Sequence, residues 1–121
     1  MPTDLISRVK YGKVFQDQHL DPANIEETIV DIQKEVDKLK KQGVNKIILL
    51  SHSGYGYDIK IAQETEGVDV ILGGHSHNLI NGIKKGENLF ESKSGEPVVI
   101  TQAGRDGKNF GILNLEFDKD G

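Results

Sequence analysis

Two short runs of apolar residues constrain the fold of this chain more than any other feature of its sequence. They lie in residues 46–50 and 68–72, which consist of isoleucine, valine and leucine apart from Lys46 and Asp69. The first is continuous from residue 47 to residue 50, and such a run is typical of a strand that is buried on both faces, as in a parallel sheet. The second predicts another strand. A helix is predicted between the two runs, from residue 57 or 58 to residue 65. The sequence therefore predicts a β-α-β unit within an α/β domain.

A longer helix is predicted before the first apolar run. Asp21 is a favourable N-cap residue, and Pro22 suits the first helical position. Apolar residues then recur every three or four positions and form one stripe, which consists of Ile25, Ile29, Ile32, Val36 and Leu39. Gly43 predicts the end of this helix. The stripe is the pattern of a helix that buries one face in a core.

Two more strands are predicted in the second half of the chain. Pro97 opens a strand over residues 98–102. The alternation of apolar and polar residues over positions 113–117 predicts a last strand with one face in the core. Residues 81–96 are polar and contain glycine, so they predict a loop or a loose hairpin. The predicted order is α-β-α-β-β-β, in a single domain that spans residues 1–121.

Composition excludes several classes of protein. The chain has 121 residues, of which 36% are hydrophobic and 28% charged, as in a globular domain. Its formal net charge of −4 argues against a general affinity for nucleic acid polymers or anionic membranes. The absence of cysteine excludes disulfides and thiolate metal sites. No apolar run approaches the roughly 20 residues of a membrane-spanning helix, and the first residues lack the apolar core of a signal peptide, so we expect a soluble chain without an export signal.

Three of the four histidines follow the two predicted central strands. His52 comes just after the first apolar run, whereas His75 and His77 follow Gly73 and Gly74 after the second run. Ligands bind at the carboxyl ends of the strands in open α/β sheets, and neutral imidazole is the commonest metal ligand. The spacing therefore favours a metal site. The alternative is a non-enzymatic α/β module, in which the histidines bind a structural metal or nothing.

Three segments of the chain resemble the calcineurin-like metallophosphoesterases, and in particular the bacterial 5′-nucleotidase and 2′,3′-cyclic-nucleotide phosphodiesterase group. They are ILLSHSG at 48–54, GVDVILGGHSH at 67–77 and PVVITQAG at 97–104, and the resemblance extends over residues 44–118. It implies part of the metallophosphoesterase β-sandwich flanked by helices. It also implies hydrolysis of a nucleotide phosphate ester by metal-activated water. The family holds two divalent ions for this reaction, and manganese or zinc is expected, with iron as a third option. By this resemblance His52 and His75 bind one metal and His77 binds the other.

The sequence departs from the pattern of the family in one important respect. The family's other ligands come from an Asp-x-His, a Gly-Asp and a Gly-Asn-His segment, and the last two have no counterpart here. The chain therefore resembles only the C-terminal half of the catalytic domain, without a separate substrate-binding domain. We expect it to bind at most one metal, weakly, and to lack efficient hydrolysis on its own. Asp17 and His19 form an Asp-x-His that would allow an intact small phosphatase, but the helix start at Asp21 favours a solvated loop.

Three further residues have two interpretations each. Asp58 either caps the second helix or accepts a hydrogen bond that supports His52. Asn78 either belongs to a turn or orients the histidine segment, and Arg105 is either an exposed turn residue or a phosphate contact.

Partners and location follow partly from the resemblance. A sheet that continues beyond the resembling segment would leave an edge or an apolar face exposed, which suggests a homodimer. The resemblance implies an exported or cell-surface protein that acts on a nucleotide. The residues themselves leave the location open.

Overall fold

The computed structural model of the protein describes residues 25–121, which form one sheet and two helices. The elements in chain order are α1 (Ile25–Lys41), β1 (Ile48–Leu50), α2 (Tyr55–Glu64), β2 (Val70–Leu72), β3 (Leu89–Glu91) and β4 (Pro97–Thr101). The predicted α/β class is therefore confirmed. The elements again follow the order α-β-α-β-β-β, but the last two strands are residues 89–91 and 97–101, whereas they were predicted at 98–102 and 113–117. Asp17, His19, Asp21 and Pro22 lie outside the described residues, so the predictions for them remain predictions.

The sheet has the strand order β1-β2-β4-β3. β1, β2 and β4 are parallel, whereas β3 runs antiparallel to β4. Leu50, Leu72 and Thr101 are register partners at the ends of the three parallel strands. The loops that follow β1, β2 and β4 therefore leave the same edge of the sheet, as the β-α-β prediction required.

Both helices pack against one face of the sheet and enclose the core. The predicted stripe of α1 is buried at four of its positions, Ile25, Ile29, Ile32 and Val36. α2 contributes Ile61 and Ala62, and the sheet contributes Ile71, Val98 and Ile100 to the same cluster. Burying one large aliphatic side chain contributes about 1.5–3 kcal/mol, so this face dominates the stability of the fold.

The opposite face of the sheet is exposed at one end, which corrects the prediction for the first apolar run. Ile48 is 54% exposed and Leu50 67% exposed, and their neighbour Leu72 is also exposed. We call these three residues the open face. The prediction of burial on both faces is therefore wrong for β1. β1 is an edge strand, and both helices lie on the other side of the sheet, where Ile47 and Leu49 point.

The polar segment 81–96 was predicted to be a loop or a loose hairpin. In the structure it contributes the strand β3. β3 forms a hairpin with β4, and their register pairs Phe90 with Val98. The turn is closed by Ser92, whose N–H donates to Glu96 O at 2.8 Å and whose hydroxyl accepts from the Ser94 N–H at 3.3 Å. Local side-chain bonds of this kind specify a tight turn.

The strand predicted over residues 113–117 is wrong, because no strand forms in that segment. Leu113 and Phe117 are half-buried while Leu115, on the same side of the alternation, is exposed, so the predicted apolar side is buried only in part. A strand also needs a neighbouring strand with free hydrogen-bonding groups. In the described structure this segment pairs with none, and Phe117 instead packs beneath the Lys46 ammonium at 5.6 Å.

The ends of the helices agree with the prediction at Gly43 and differ at Asp58. α1 ends at Lys41, and Gly43 follows with φ of 82°. α2 begins at Tyr55, and Gly54, with φ of 95°, takes the N-cap position. Asp58 therefore lies inside the first turn and is not the cap. Neither helix in the described residues has the length and apolar character needed to cross a bilayer.

Candidate metal centre

The candidate site lies at the carboxyl edge of β1, β2 and β4. Two hydrogen bonds extend the parallel ladder beyond the strands. Ser51 N donates to Leu72 O at 2.8 Å, and Gly73 N donates to Thr101 O at 2.8 Å. The residues that follow the three strands therefore start side by side. We call residues 73–78, which follow β2, the histidine loop.

His52 and His75 meet at this edge. Their ring centroids are 5.1 Å apart and their planes are inclined at 74°. Both residues are exposed at the surface of the described structure. Glycine at position 74 permits the approach, since a Cβ there would lie 3.0 Å from His52 Nδ1. The juxtaposition expected for these two histidines is therefore present in the fold.

The third predicted ligand, His77, is placed differently. His77 is exposed, and the described contacts include no ring contact between it and His52 or His75. His75 and His77 have φ of 74° and 61°, which is the left-handed region that residues with a Cβ seldom adopt. The histidines themselves therefore take left-handed backbone conformations in this loop.

The histidine loop is tied to the end of β4 by Gln102, a residue that the sequence analysis did not single out. Gln102 Oε1 accepts from the Asn78 N–H at 2.7 Å. Its Nε2 donates to Gly74 O at 3.3 Å. The available signal in the sequence was a polar residue at the last position of the third predicted strand, at the end of the sheet where the histidines were expected.

Ser76 and Asn78 complete the polar contacts of the loop. Ser76 Oγ donates to Asn78 Oδ1 at 2.5 Å and accepts from the Tyr55 N–H at 3.0 Å. The second contact connects the loop to the first turn of α2. Asn78 O also accepts from the Gly104 N–H at 2.8 Å, which brings the following turn close.

Asp58 is fully buried behind the loop. Ser51 Oγ donates to Asp58 Oδ1 at 2.5 Å, whereas Asp58 Oδ2 is buried without a hydrogen-bond partner among the described residues. Burial raises the pKa of Asp58 to about 6, against the lowering effect of the Ser51 hydrogen bond. A Cβ on Gly73 would overlap Oδ2, so this carboxylate lies directly against the base of the loop.

Arg105 lies in the exposed turn after β4. Its Nε donates to Asp106 Oδ2 at 2.8 Å, and both side chains are more than half exposed. Exposed ion pairs of this kind contribute little to stability, so the guanidinium is held only loosely.

The donor set fits a divalent cation only in part. His52 and His75 supply two neutral imidazoles, which suit zinc or manganese. Within residues 25–121, no cluster of three or more histidine, aspartate or glutamate side chains is arranged to hold a metal. The Asp58 carboxylate is turned into the core. The described residues therefore offer two ligands and no carboxylate to balance the charge of the ion.

Comparison with known proteins identifies relatives of this chain over most of its length. It is 43% identical over 105 residues to the 5′-nucleotidase of Bos taurus, and the match covers 79% of this chain and 18% of that protein. It is 36% identical over 108 residues to the "Probable 5'-nucleotidase" of Treponema pallidum, covering 81% of this chain and 18% of that protein. The chain thus spans about a fifth of the length of these curated relatives. No family model matches it.

Two solved structures share the fold of this chain. Haemophilus influenzae NAD nucleotidase matches with a TM-score of 0.55 and 38% identity, over 61% of this chain and 17% of that chain. The 5′-nucleotidase precursor from Thermus thermophilus matches with a TM-score of 0.57 and 39% identity, over 70% of this chain and 17% of that chain. The expected resemblance to a segment of the 5′-nucleotidase-type metallophosphoesterases is therefore confirmed.

Proposed function

We propose, from the similarity of this chain to a segment of 5′-nucleotidase-type metallophosphoesterases, that it supplies the histidine side of a metal centre in a nucleotide phosphohydrolase. The observation that carries the proposal is the meeting of His52 and His75, 5.1 Å apart between ring centroids, at the carboxyl edge of the parallel strands. The proposed substrates are 5′-nucleotides, with cyclic nucleotides as the second class. The names of the relatives favour the first class.

His52 and His75 are the proposed ligands of one divalent ion, and His77 is the proposed ligand of a second. Manganese and zinc are the proposed metals, with iron as a third option. A bound ion would polarise the phosphate ester and activate a water molecule. The residues of this chain would hold the ion and keep the edge of the sheet open to the substrate. Arg105 is a proposed phosphate contact, since its loose pairing with Asp106 leaves the guanidinium free to turn.

We propose that the chain alone binds metal weakly and lacks efficient hydrolysis. The described donor set contains no carboxylate beside the histidine pair. Neutral imidazoles do not offset the charge of two divalent ions, so a dinuclear centre needs ligands beyond those described. The second candidate is a non-enzymatic α/β module that holds one structural metal. The exposure of both histidines favours an open site over a structural one, because structural metal sites are closed.

Calorimetric titration with zinc or manganese tests the metal site. One equivalent is expected to bind to the wild-type chain, and His75→Ala should abolish the heat of binding. His19→Ala is the matched control, and it should bind as the wild type does. Binding that is lost in His19→Ala but kept in His75→Ala would transfer the site to the Asp17 and His19 segment and overturn the proposal.

An assay of hydrolysis tests the proposal that the chain alone lacks efficient hydrolysis. A 5′-nucleotide and a cyclic nucleotide are incubated with the chain and with either metal, and the expected result is no turnover above that of His75→Ala. Turnover that is lost in His75→Ala would show that this chain assembles a working centre, and the proposal of an inactive chain would be wrong.

We also propose an exported or cell-surface location and association into a homodimer. The location is supported by the similarity to a protein described as a precursor. Dimerisation is supported by the open face, where three large aliphatic side chains are exposed beside the edge of β1.

A further inference from the structure

The histidine loop has a backbone that needs external support. His75 and His77 both have positive φ, at 74° and 61°. Side chains with a Cβ adopt this region at a cost, and they persist there only where the surrounding structure over-determines the conformation. The orientation of His75 towards His52 therefore depends on whatever holds the loop on either side of it.

Gln102 holds the loop on both sides of His75. Its side-chain Oε1 accepts from the Asn78 N–H at 2.7 Å, after the histidines, and its side-chain Nε2 donates to Gly74 O at 3.3 Å, before them. Gln102 is 4% exposed, so water has little access to its side of these bonds. A third group, Ser76 Oγ, lies 3.3 Å from the amide nitrogen.

Asp58 and Gly73 form the base of the loop. A Cβ at Gly73 would overlap Asp58 Oδ2 and lie 3.3 Å from Gln102 Nε2. The carboxylate and the side-chain amide therefore occupy the space that a side chain at Gly73 would need. Asp58 is itself fixed by Ser51, the residue before His52. One buried polar group thus contacts the segments that carry both histidines.

We propose that Gln102 is the positioning residue of the metal centre, and that it holds His75 against His52 with Asp58 supporting the base of the loop. The inference rests on the proposed function, since it assigns Gln102 to the site where the ion binds. Residues that orient metal ligands typically change metal affinity when they are replaced, although they never touch the ion.

The first test uses the metal-free chain. Gln102→Met keeps the length and the volume of the side chain and removes its hydrogen bonds. The amide hydrogen of Asn78 is expected to exchange about tenfold faster or more in this variant, because its acceptor is lost, while the Ile71 amide in β2 remains protected. Gln63→Met, which makes the same change at an exposed position of α2, should leave both amides unchanged. An Asn78 amide that exchanges equally in Gln102→Met and wild type would overturn the inference.

The second test measures zinc affinity by titration with zinc alone. Gln102→Met is expected to bind about 10–100-fold more weakly than wild type, and Gln63→Met equally well. Wild-type affinity in Gln102→Met would reject the positioning role and leave the proposed function standing. If wild type binds no zinc while Gln102→Met still frees the Asn78 amide, the proposed function fails and the support of the loop by Gln102 stands.

Gln102→Glu provides a second variant in case Gln102→Met unfolds, which circular dichroism would reveal. Glutamate retains the oxygen that accepts from the Asn78 N–H and loses the donor to Gly74 O. Its Asn78 amide should stay protected. Exchange of that amide as fast as in an unfolded chain, in a variant that circular dichroism shows to be folded, would contradict the assignment of Gln102 as its acceptor.

Discussion

The buried carboxylate of Asp58 gives this domain a specific dependence of stability on pH. Its folded-state pKa is raised from 3.8 to about 6 by burial, so the folded chain binds this proton more tightly than the unfolded chain does. Its contribution to stability is therefore present below about pH 4 and is lost as the pH rises to about 6. Across that window the free energy of unfolding should fall by about 3 kcal/mol from this group alone.

Asp58→Asn isolates this contribution, because the amide keeps an acceptor for Ser51 and does not ionise. The free energy of unfolding by urea is measured at pH 4, 5, 6 and 7 for both proteins. The difference between them should shift in favour of the variant as the pH rises. The same comparison with Asp106→Asn, an exposed change, should vary by less than about 0.5 kcal/mol. A difference for Asp58→Asn that is equally flat would contradict the raised pKa.

Gly73 is expected to tolerate no side chain, because its Cβ would overlap Asp58 Oδ2. Gly73→Ala should lower the free energy of unfolding by about 1–3 kcal/mol. Gly56→Ala makes the same change inside α2, where nothing lies within 4 Å of the new methyl group, and should stabilise by up to about 1 kcal/mol. Thermal unfolding followed by circular dichroism gives both values. Equal effects of the two substitutions would show that Gly73 is not confined by Asp58.

The sequence predicted which residues of the site come from which strand ends, but not how they are held. His52 and His75 were placed at the same edge because parallel strands that follow apolar runs share that edge. Gln102 was not identified, because its role depends on contacts with Gly74 and Asn78 across two loops. Asp58 was predicted either to cap the second helix or to accept a hydrogen bond that supports His52. The helix begins at Tyr55, which places that carboxylate in the core instead.

Helix α1 packs on the rest of the domain through one apolar stripe. Side-chain truncation should therefore cost more stability on the buried side of the helix than on its exposed side. Ile32 is 4% exposed and belongs to the core, whereas Val30 is 52% exposed. Ile32→Ala should cost about 2–5 kcal/mol, since it removes buried surface and leaves a cavity. Val30→Ala should stay within about 0.5 kcal/mol of wild type. The free energy of unfolding is measured with urea at a single pH. A loss for Val30→Ala as large as that for Ile32→Ala would show that both sides of the helix are packed against other residues.

Elements with a strong local pattern were predicted well, and elements defined by distant partners were not. The stripe of α1 and the stop at Gly43 depend on neighbours in sequence. β3 was missed because Leu89 and Phe90 form too short an apolar segment to mark a strand before β4 pairs with them. Residues 113–117 have the alternation of a strand, yet no strand lies beside them within the described residues. Pairing is a property of the sheet, and a single segment does not encode it.

At the scale of the whole molecule, the sheet is covered by helices on one face and is open at one end of the other. Ile48, Leu50 and Leu72 lie together there, and β1 is the edge strand beside them. Exposed aliphatic side chains next to a strand edge favour association. A second copy of the chain is the proposed occupant, since it brings the same apolar surface, and the same β1 edge that no strand of residues 25–121 pairs with, to a symmetric contact.

Sedimentation of the chain over a range of concentrations tests this association, and the open face offers a substitution that should abolish it without unfolding the domain. Leu50 is 67% exposed, so Leu50→Lys removes little from the core and places a charge in the contact. Wild type should sediment as a dimer at high concentration, and Leu50→Lys should sediment as a monomer with an unchanged circular dichroism spectrum. Val30→Lys adds the same charge to the exposed side of α1, away from the sheet, so it should dimerise as wild type does. A wild-type chain that remains monomeric at high concentration would contradict the proposal that a second copy covers the open face. A dimer lost in Val30→Lys and kept in Leu50→Lys would move the contact to the helices, because a lysine is costly where the contact buries it.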